Sequence, residues 1–346
     1  GSIYECLVVM TDNPLSQEQL NEIAKLSLVN EASGYTEPIT TTYDLVEAVM
    51  GADMPCMPQV EPYFRLTHVP TAQFDDMFKP TRNILFVDIN PQKYTQLKAK
   101  VSNDYWSTPQ AICRIQSPSE EEFVAYWLEH GTEIREWFVN QEIKRQMKFY
   151  RASTNKEART ILQKQGYDML IPEDYIVIMD TTLGGATTYS LRNPITVAPE
   201  VRLLWCCNTK GSMRRDIVVY SYPYTDENTF TLDYLNAKRD AVLSRVVTAS
   251  VDGSYMGTEY KVFPPQMRAI TVQEDEYATE VRGLWKILDG EAMGGPYVSH
   301  TRLDQVNGRV VTAETFLYAA GQKKRSALRQ AEAILYTLQL PQDTIK

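Results

Sequence analysis

Near the end of the chain, Asn307-Gly308 stands between two runs, "PYVSHTRLDQV" and "RVVTAETFLYA", that alternate apolar and polar residues. An Asn-Gly pair so placed is a strong hairpin signal, because both residues tolerate the left-handed backbone of a tight turn. A two-residue turn would set Val306 opposite Arg309, Ser299 opposite Phe316 and His300 opposite Thr315. The region is thereby committed to antiparallel sheet.

Neighbouring segments fit that sheet. "RDIVVYSYPY" (215–224) places Val218, Tyr220, Tyr222 and Tyr224 on one face. The 277–288 run places Tyr277, Val281, Trp285 and Ile287 on one face and Glu280, Arg282 and Lys286 on the other, which predicts a sheet with one buried side. Apolar stripes at 229–247 and 323–338 predict two covering helices. "DGEAMGGPYVSH" (289–300) joins two of the strands. Its glycines are expected to allow left-handed backbone, and Pro296 to mark re-entry into a strand.

The first third alternates differently. Strand signals at 4–11, 62–69, 83–89 and 111–116 are separated by helical spacing at 16–28, 41–50, 71–78 and 92–99. A charged helical region follows Pro118, with Ser119 and Glu122 in capping-box spacing. Gly131 is expected to divide it, leaving His130 at a helix end, and Thr154 with Glu157 to cap a further helix that stops at Gly166. A chain of 346 residues exceeds what one core usually organises. The predicted class is α+β: an N-terminal α/β domain over 1–117, a helical connector over 118–166, and a C-terminal antiparallel sheet covered by two helices over 167–346.

Several functions lose support at this level. A net charge of −9 argues against nucleic acid, whose binding depends on many cations at phosphates. The basic groups Lys323-Lys324-Arg325 with Arg329, and Lys144, Arg145, Lys148 and Arg151, read as solvated helix faces. No apolar run approaches the roughly 20 residues of a membrane span. Five cysteines without a CxxC pair signal neither zinc nor a disulfide framework, and Cys206 and Cys207, adjacent in a strand, point to opposite faces. GxGxxG, GxxxxGK[ST], HExxH and GxSxG are all missing, so no cofactor and no metal is expected.

His300 is the best candidate for chemistry. It could act as a general base oriented by Glu280, with Arg282 or Arg302 receiving an anionic substrate beside a rim formed by Gly294 and Gly295. The competing reading is a half-exposed polar position on a sheet. Tyr220, Tyr222 and Tyr224 could line a groove for a flat ligand, or pack beneath the 229–247 helix.

"VYSYPYTDENTFTLDYLNAKRDAVL" (219–243), "GSYMGTEY" (253–260), "RGLWKI" (282–287) and "MGGPYVSH" (293–300) resemble an uncharacterised family of Bacteroidetes lipoproteins, a domain of unknown function. "YECLVVM", "PYFRLTHVP", "FKPTRNILFVDI" and "IPEDYIVIMD" fit it as well. The resemblance implies export and a lipid-bearing cysteine upstream, hence the cell envelope, with membrane contact only through that anchor. It carries no catalytic residue. The C-terminal order of strands and helices also resembles the sandwich of the extrinsic oxygen-evolving photosystem proteins. The resulting expectation is a non-enzymatic binding or scaffold module for a protein or small molecule of the envelope, working through a loop-rich rim or the junction of its domains. The alternative is an envelope hydrolase centred on His300.

Overall fold

The computed structural model describes residues 2–25, 38–184, 187–190, 193–197, 200–273 and 275–344. The chain divides into two compact units, Gly1–Met54 with Val60–Arg145, and Pro55–Gln59 with Gln146–Lys346. Its class is α+β.

The first unit carries β1 (Glu5–Val9), α1 (Gln17–Lys25), α2 (Thr42–Met50), β2 (Arg65–Val69), β3 (Asn83–Ile89), β4 (Lys98–Asn103), β5 (Ala111–Ser117) and most of α3 (Glu120–Ala152). The sheet order is β2-β1-β3-β5-β4. Every pairing is parallel except that of β4 with β5. Val8, Val9, Ile84, Leu85 and Ile115 are sealed, as expected for parallel strands covered on both faces. A capping box opens α2: Thr41 Oγ1 accepts from the Asp44 amide while the Asp44 carboxylate accepts from the Thr41 amide.

Three expectations fail in this unit. The 92–99 segment is not a helix, because Lys98–Asn103 forms an edge strand. Its exposed Lys98 and Lys100 blunt that edge, and they also imitate a polar helix face in sequence. The 71–78 segment yields only a 3-10 turn over Thr71–Gln73. Gly131 does not divide α3, which runs unbroken for 33 residues. A Cβ at Gly131 would lie 2.9 Å from the Trp127 ring, whose Nε1 donates to the Leu45 carbonyl at 3.1 Å. The glycine thus makes room for an indole and stops nothing. His130 accordingly sits mid-helix, against the Tyr126 ring and 3.0 Å from Glu133. The predicted 16–28 helix is α1; beyond Lys25 it lies outside the described residues.

The second unit contains α4 (Lys156–Lys164), β6 (Ile176–Leu183), β7 (Thr187–Ser190), β8 (Asn193–Val197), β9 (Val201–Asn208), β10 (Arg214–Pro223), α5 (Leu232–Leu243), β11 (Tyr255–Glu259), β12 (Gln266–Val272), β13 (Glu276–Leu288), β14 (Gly294–Asp304), β15 (Arg309–Tyr318) and α6 (Arg325–Leu335). Asn155 caps α4 by accepting from the Ala158 amide, whereas Thr154 donates its hydroxyl to the Tyr150 carbonyl. Eight strands form one antiparallel sheet in the order β11-β13-β14-β15-β10-β9-β6, with β12 also on β13.

This sheet is buried on both faces, contrary to the one-sided expectation. On the α5 face, Val218, Tyr220, Tyr222, Val281, Trp285, Tyr297 and Phe316 share a core with Leu235, Val242 and Leu243. On the other face, Ile217, Val219, Ala313 and Leu317 alternate with those residues, and α6 packs against β14 and β15. Glu280 and Arg282 are buried there, because ion pairs replace the water that the sequence pattern implied.

The β14–β15 hairpin forms, but two residues out of the predicted register. Asp304 pairs with Arg309, Ser299 with Glu314 and His300 with Ala313. The buried Asp304 carboxylate accepts from the Asn307 amide, from Asn307 Nδ2 and from Arg309 Nε, which closes a four-residue loop over 305–308 that ends on Gly308 at φ +61. A slip of two keeps every side chain on its predicted face. All five cysteines are buried and free.

Candidate functional site

Trp285 in β13 stands directly opposite Gly295 in β14. Its indole crosses that glycine, and Nε1 donates to the Leu317 carbonyl of β15 at 3.0 Å. A Cβ on Gly295 would collide with that same carbonyl oxygen. The glycine pair is therefore explained by close approach; neither Gly294 nor Gly295 has positive φ, and the left-handed residue of the corner is Asp289 at φ 56. Pro296 lies inside β14, beyond the reach of the β15 pairing, where its missing N–H costs nothing.

This corner borders a cleft of about 390 Å3 on the α5 face. Trp285, Phe316 and Tyr318 form one wall, with Trp285 edge-on to Phe316 at 5.9 Å. Trp205 of β9 forms another, its Nε1 donating to Asp216 at 2.8 Å. Arg214 grips the same carboxylate at 2.9 Å through both Nε and Nη2. Burial pushes the Asp216 carboxyl up, against the opposing pull of Arg214. Met256, Met293 and Ile287 complete an apolar lining whose unbranched thioethers can adapt to a guest.

The predicted chemical residues lie on the opposite face. Glu280, Arg282 and His300 do converge, together with Glu332 of α6. Arg282 Nε holds Glu280 at 2.9 Å, Arg282 Nη2 holds Glu332, and Arg329 Nη1 reaches Glu332 at 3.0 Å. Arg268 approaches Glu280 from outside at 2.7 Å. His300 is 1% exposed, its Nε2 is 3.5 Å from Glu280 Oε2, and its ring meets that of Tyr336 edge-on at 4.7 Å. Burial alone would raise the Glu280 carboxyl; Arg282, His300 and Arg268 outweigh it and hold the group well below the ordinary carboxylate range.

Glu280, His300 and Glu332 offer ligand atoms within 4.8 Å of one another, a spacing compatible with a metal ion. The donor set does not fit one. Arg282 already bridges the two carboxylates, and Arg329 adds a second buried guanidinium, so a divalent ion would face uncompensated repulsion in a dry site.

The other predicted residues scatter. Arg302 is committed to Asp343, with both contacts at 2.6–2.7 Å, and pins the 3-10 turn Pro341–Thr344. Tyr220 and Tyr222 are core residues beneath α5, and Tyr224 is half-buried at its margin. Gly295 is buried under the Trp285 indole and does not itself line the cleft, and Gly294 is exposed. Arg329, expected on a solvated face, is sealed. Sequence reasoning missed the Trp205–Asp216–Arg214 group and Glu332. It also missed a second buried pair, Arg239 on Glu314 at 2.7–2.9 Å under the Tyr297 ring. The cleft had no local signal, because Trp285 meets Gly295 only through the register of β13 on β14.

These features define a two-unit α+β protein whose larger sheet is packed on both faces and carries an aromatic cleft at one corner. Residues 153–337 match the model described as Domain of unknown function (DUF4837), which spans more than half of the chain, and the protein belongs to that family. Residues 16–151 match a second model, Domain of unknown function (DUF8532). No curated protein matches the chain.

Proposed function

We propose that the protein is a non-enzymatic binding module of the cell envelope, and that a flat apolar small molecule seats in the cleft beside Gly294-Gly295. The carrying observation is the concave wall of Trp205, Trp285, Phe316 and Tyr318, backed by two methionines and edged by a single held ion pair. Such sites are mostly apolar, with few fixed polar groups. The envelope location rests on the resemblance of segments 219–243 and 282–300 to envelope lipoproteins, and cell fractionation checks it.

A hydrolase at His300 has less support. General-base work needs substrate and water within reach, whereas Glu280 and Glu332 are sealed and already engaged by arginines.

The test is titration with 1-anilinonaphthalene-8-sulfonate, followed by probe fluorescence and tryptophan quenching. Saturable one-to-one binding is expected, weakened at least tenfold by Met293→Arg and with its quenching reduced in Trp205→Phe. Equal binding to the Met293→Arg protein, with its thermal transition unchanged, would sink the reading.

A further inference from the structure

Arg239, Arg282, Arg302 and Arg329, the sealed arginines of the second unit, each hold a carboxylate. Arg215 does not. It is half-buried in β10, its Nε is shielded from solvent without a hydrogen-bond partner, and no carboxylate pairs with it among the described residues. Only the Nε edge of this guanidinium is shielded, and a guanidinium without a carboxylate partner keeps its fork of donors available to an anion.

Arg215 opens into a second cleft, of about 280 Å3, on the α6 face. The cleft also holds two carboxylates, Glu173 and Asp174. Asp174 spends one oxygen on Asn208 Nδ2 at 2.6 Å, and Glu173 is exposed at the rim. Tyr150 and Tyr175 line the same cleft and feel both signs of charge. Burial pushes both phenols up, Arg215 pulls them down and Asp174 pushes them up again. Tyr150 is fixed by donating to the Gln330 carbonyl at 2.7 Å. Phe149, 65% exposed, and Pro172 supply an apolar lip. The volume falls just below the roughly 300 Å3 at which drug-sized sites begin.

We infer that this cleft binds a small zwitterion, a free α-amino acid with an apolar side chain. Its carboxylate lies on Arg215, its ammonium on Asp174 and Glu173, and its side chain against Phe149 and Pro172. A simple anion would meet two carboxylates, and a simple cation would meet Arg215; only a molecule carrying both charges satisfies both. The site is independent of the aromatic cleft, because Arg214 and Arg215 project to opposite faces of β10.

The experiment is calorimetric titration of the whole chain with L-leucine and L-phenylalanine, and with the N-acetyl and carboxamide derivative of each. Binding of the free amino acids is expected, with at least a tenfold loss on blocking either end. Arg215→Met should reduce affinity at least tenfold, and Glu173→Gln, a change at an exposed side chain, should weaken it several-fold in a protein whose thermal transition is unaltered. No binding of the free amino acids, equal binding of the N-acetyl forms, or binding that survives both Arg215→Met and Glu173→Gln overturns the inference. Anilinonaphthalene binding at the other cleft should be unchanged in both variants, which keeps the two readings separable.

Discussion

Arg214 and Arg215 are consecutive in β10 yet have opposite electrostatic fates. Arg214 chelates the buried Asp216 carboxylate on the α5 face, while Arg215 faces the α6 side with no carboxylate partner among the described residues. Side-chain alternation along a strand is enough to separate them. Each substitution should therefore move stability differently. Arg214→Met leaves Asp216 buried with only the Trp205 indole, and is expected to cost about 1–3 kcal/mol, a buried-pair figure discounted for the partial exposure of Arg214. Arg215→Met should lie within about 0.5 kcal/mol of the parent, as for sites with no partner to lose. Urea denaturation of the two variants checks the ordering; equal losses would refute it.

Glu280 gives the chain a defined acid response. Its folded carboxyl is held below the ordinary value of 4.5, so its contribution is complete above that pH and is lost as pH falls through the folded value. Glu314 and Asp216 are shifted upward, so their contributions run the opposite way and grow in acid. Glu280→Gln, which strands Arg282, is expected to cost about 3–5 kcal/mol at pH 7. The gap to the parent protein should narrow as pH drops below 4.5. Denaturation curves at pH 7, 5, 4 and 3 measure it, and a constant gap would exclude Glu280 as the titrating group.

Where a pattern is local, the sequence was enough. β3 was legible from the continuous run "NILFVDI", and α2 from the helical spacing over 41–50. The α5-facing stripe of Val218, Tyr220 and Tyr222 followed from period two alone. The hairpin kept its faces but not its register, because the carboxylate of Asp304 folds back over Asn307 and lengthens the turn. Burial of Glu280 and His300 was illegible for a different reason. Their environment is completed by Glu332 and Tyr336, more than thirty residues further on and in or just beyond α6. Nothing in the 277–300 window announces those partners. The cleft required knowing that Trp205, Trp285 and Phe316 would stand side by side, a fact of strand order across β9, β10, β15, β14 and β13.

Arg239 and Glu314 form the most completely desolvated ion pair of the α5 face, with Arg239 also donating to Thr258 Oγ1 at 2.8 Å. Removing one partner leaves a charge in the core, and Glu314→Leu or Arg239→Met is each expected to cost about 3–5 kcal/mol. The double replacement should recover most of that loss, since a well-packed apolar pair of similar volume is often neutral. A double-mutant cycle by chemical denaturation gives the coupling; additive losses would mean that the two groups act separately.

Gly131 sets two effects against each other. Alanine in a helix interior is favoured over glycine by about 1 kcal/mol. Here its Cβ would press on the Trp127 ring at 2.9–3.2 Å, and that ring is buried and tethered to the Leu45 carbonyl. Overpacking of this kind costs about 1–3 kcal/mol. Because the indole cannot withdraw without giving up its hydrogen bond, packing should win, and Gly131→Ala is expected to lower the thermal transition despite the better helix former. A rise in stability of about 1 kcal/mol would show instead that Trp127 yields at no cost, leaving propensity alone to decide.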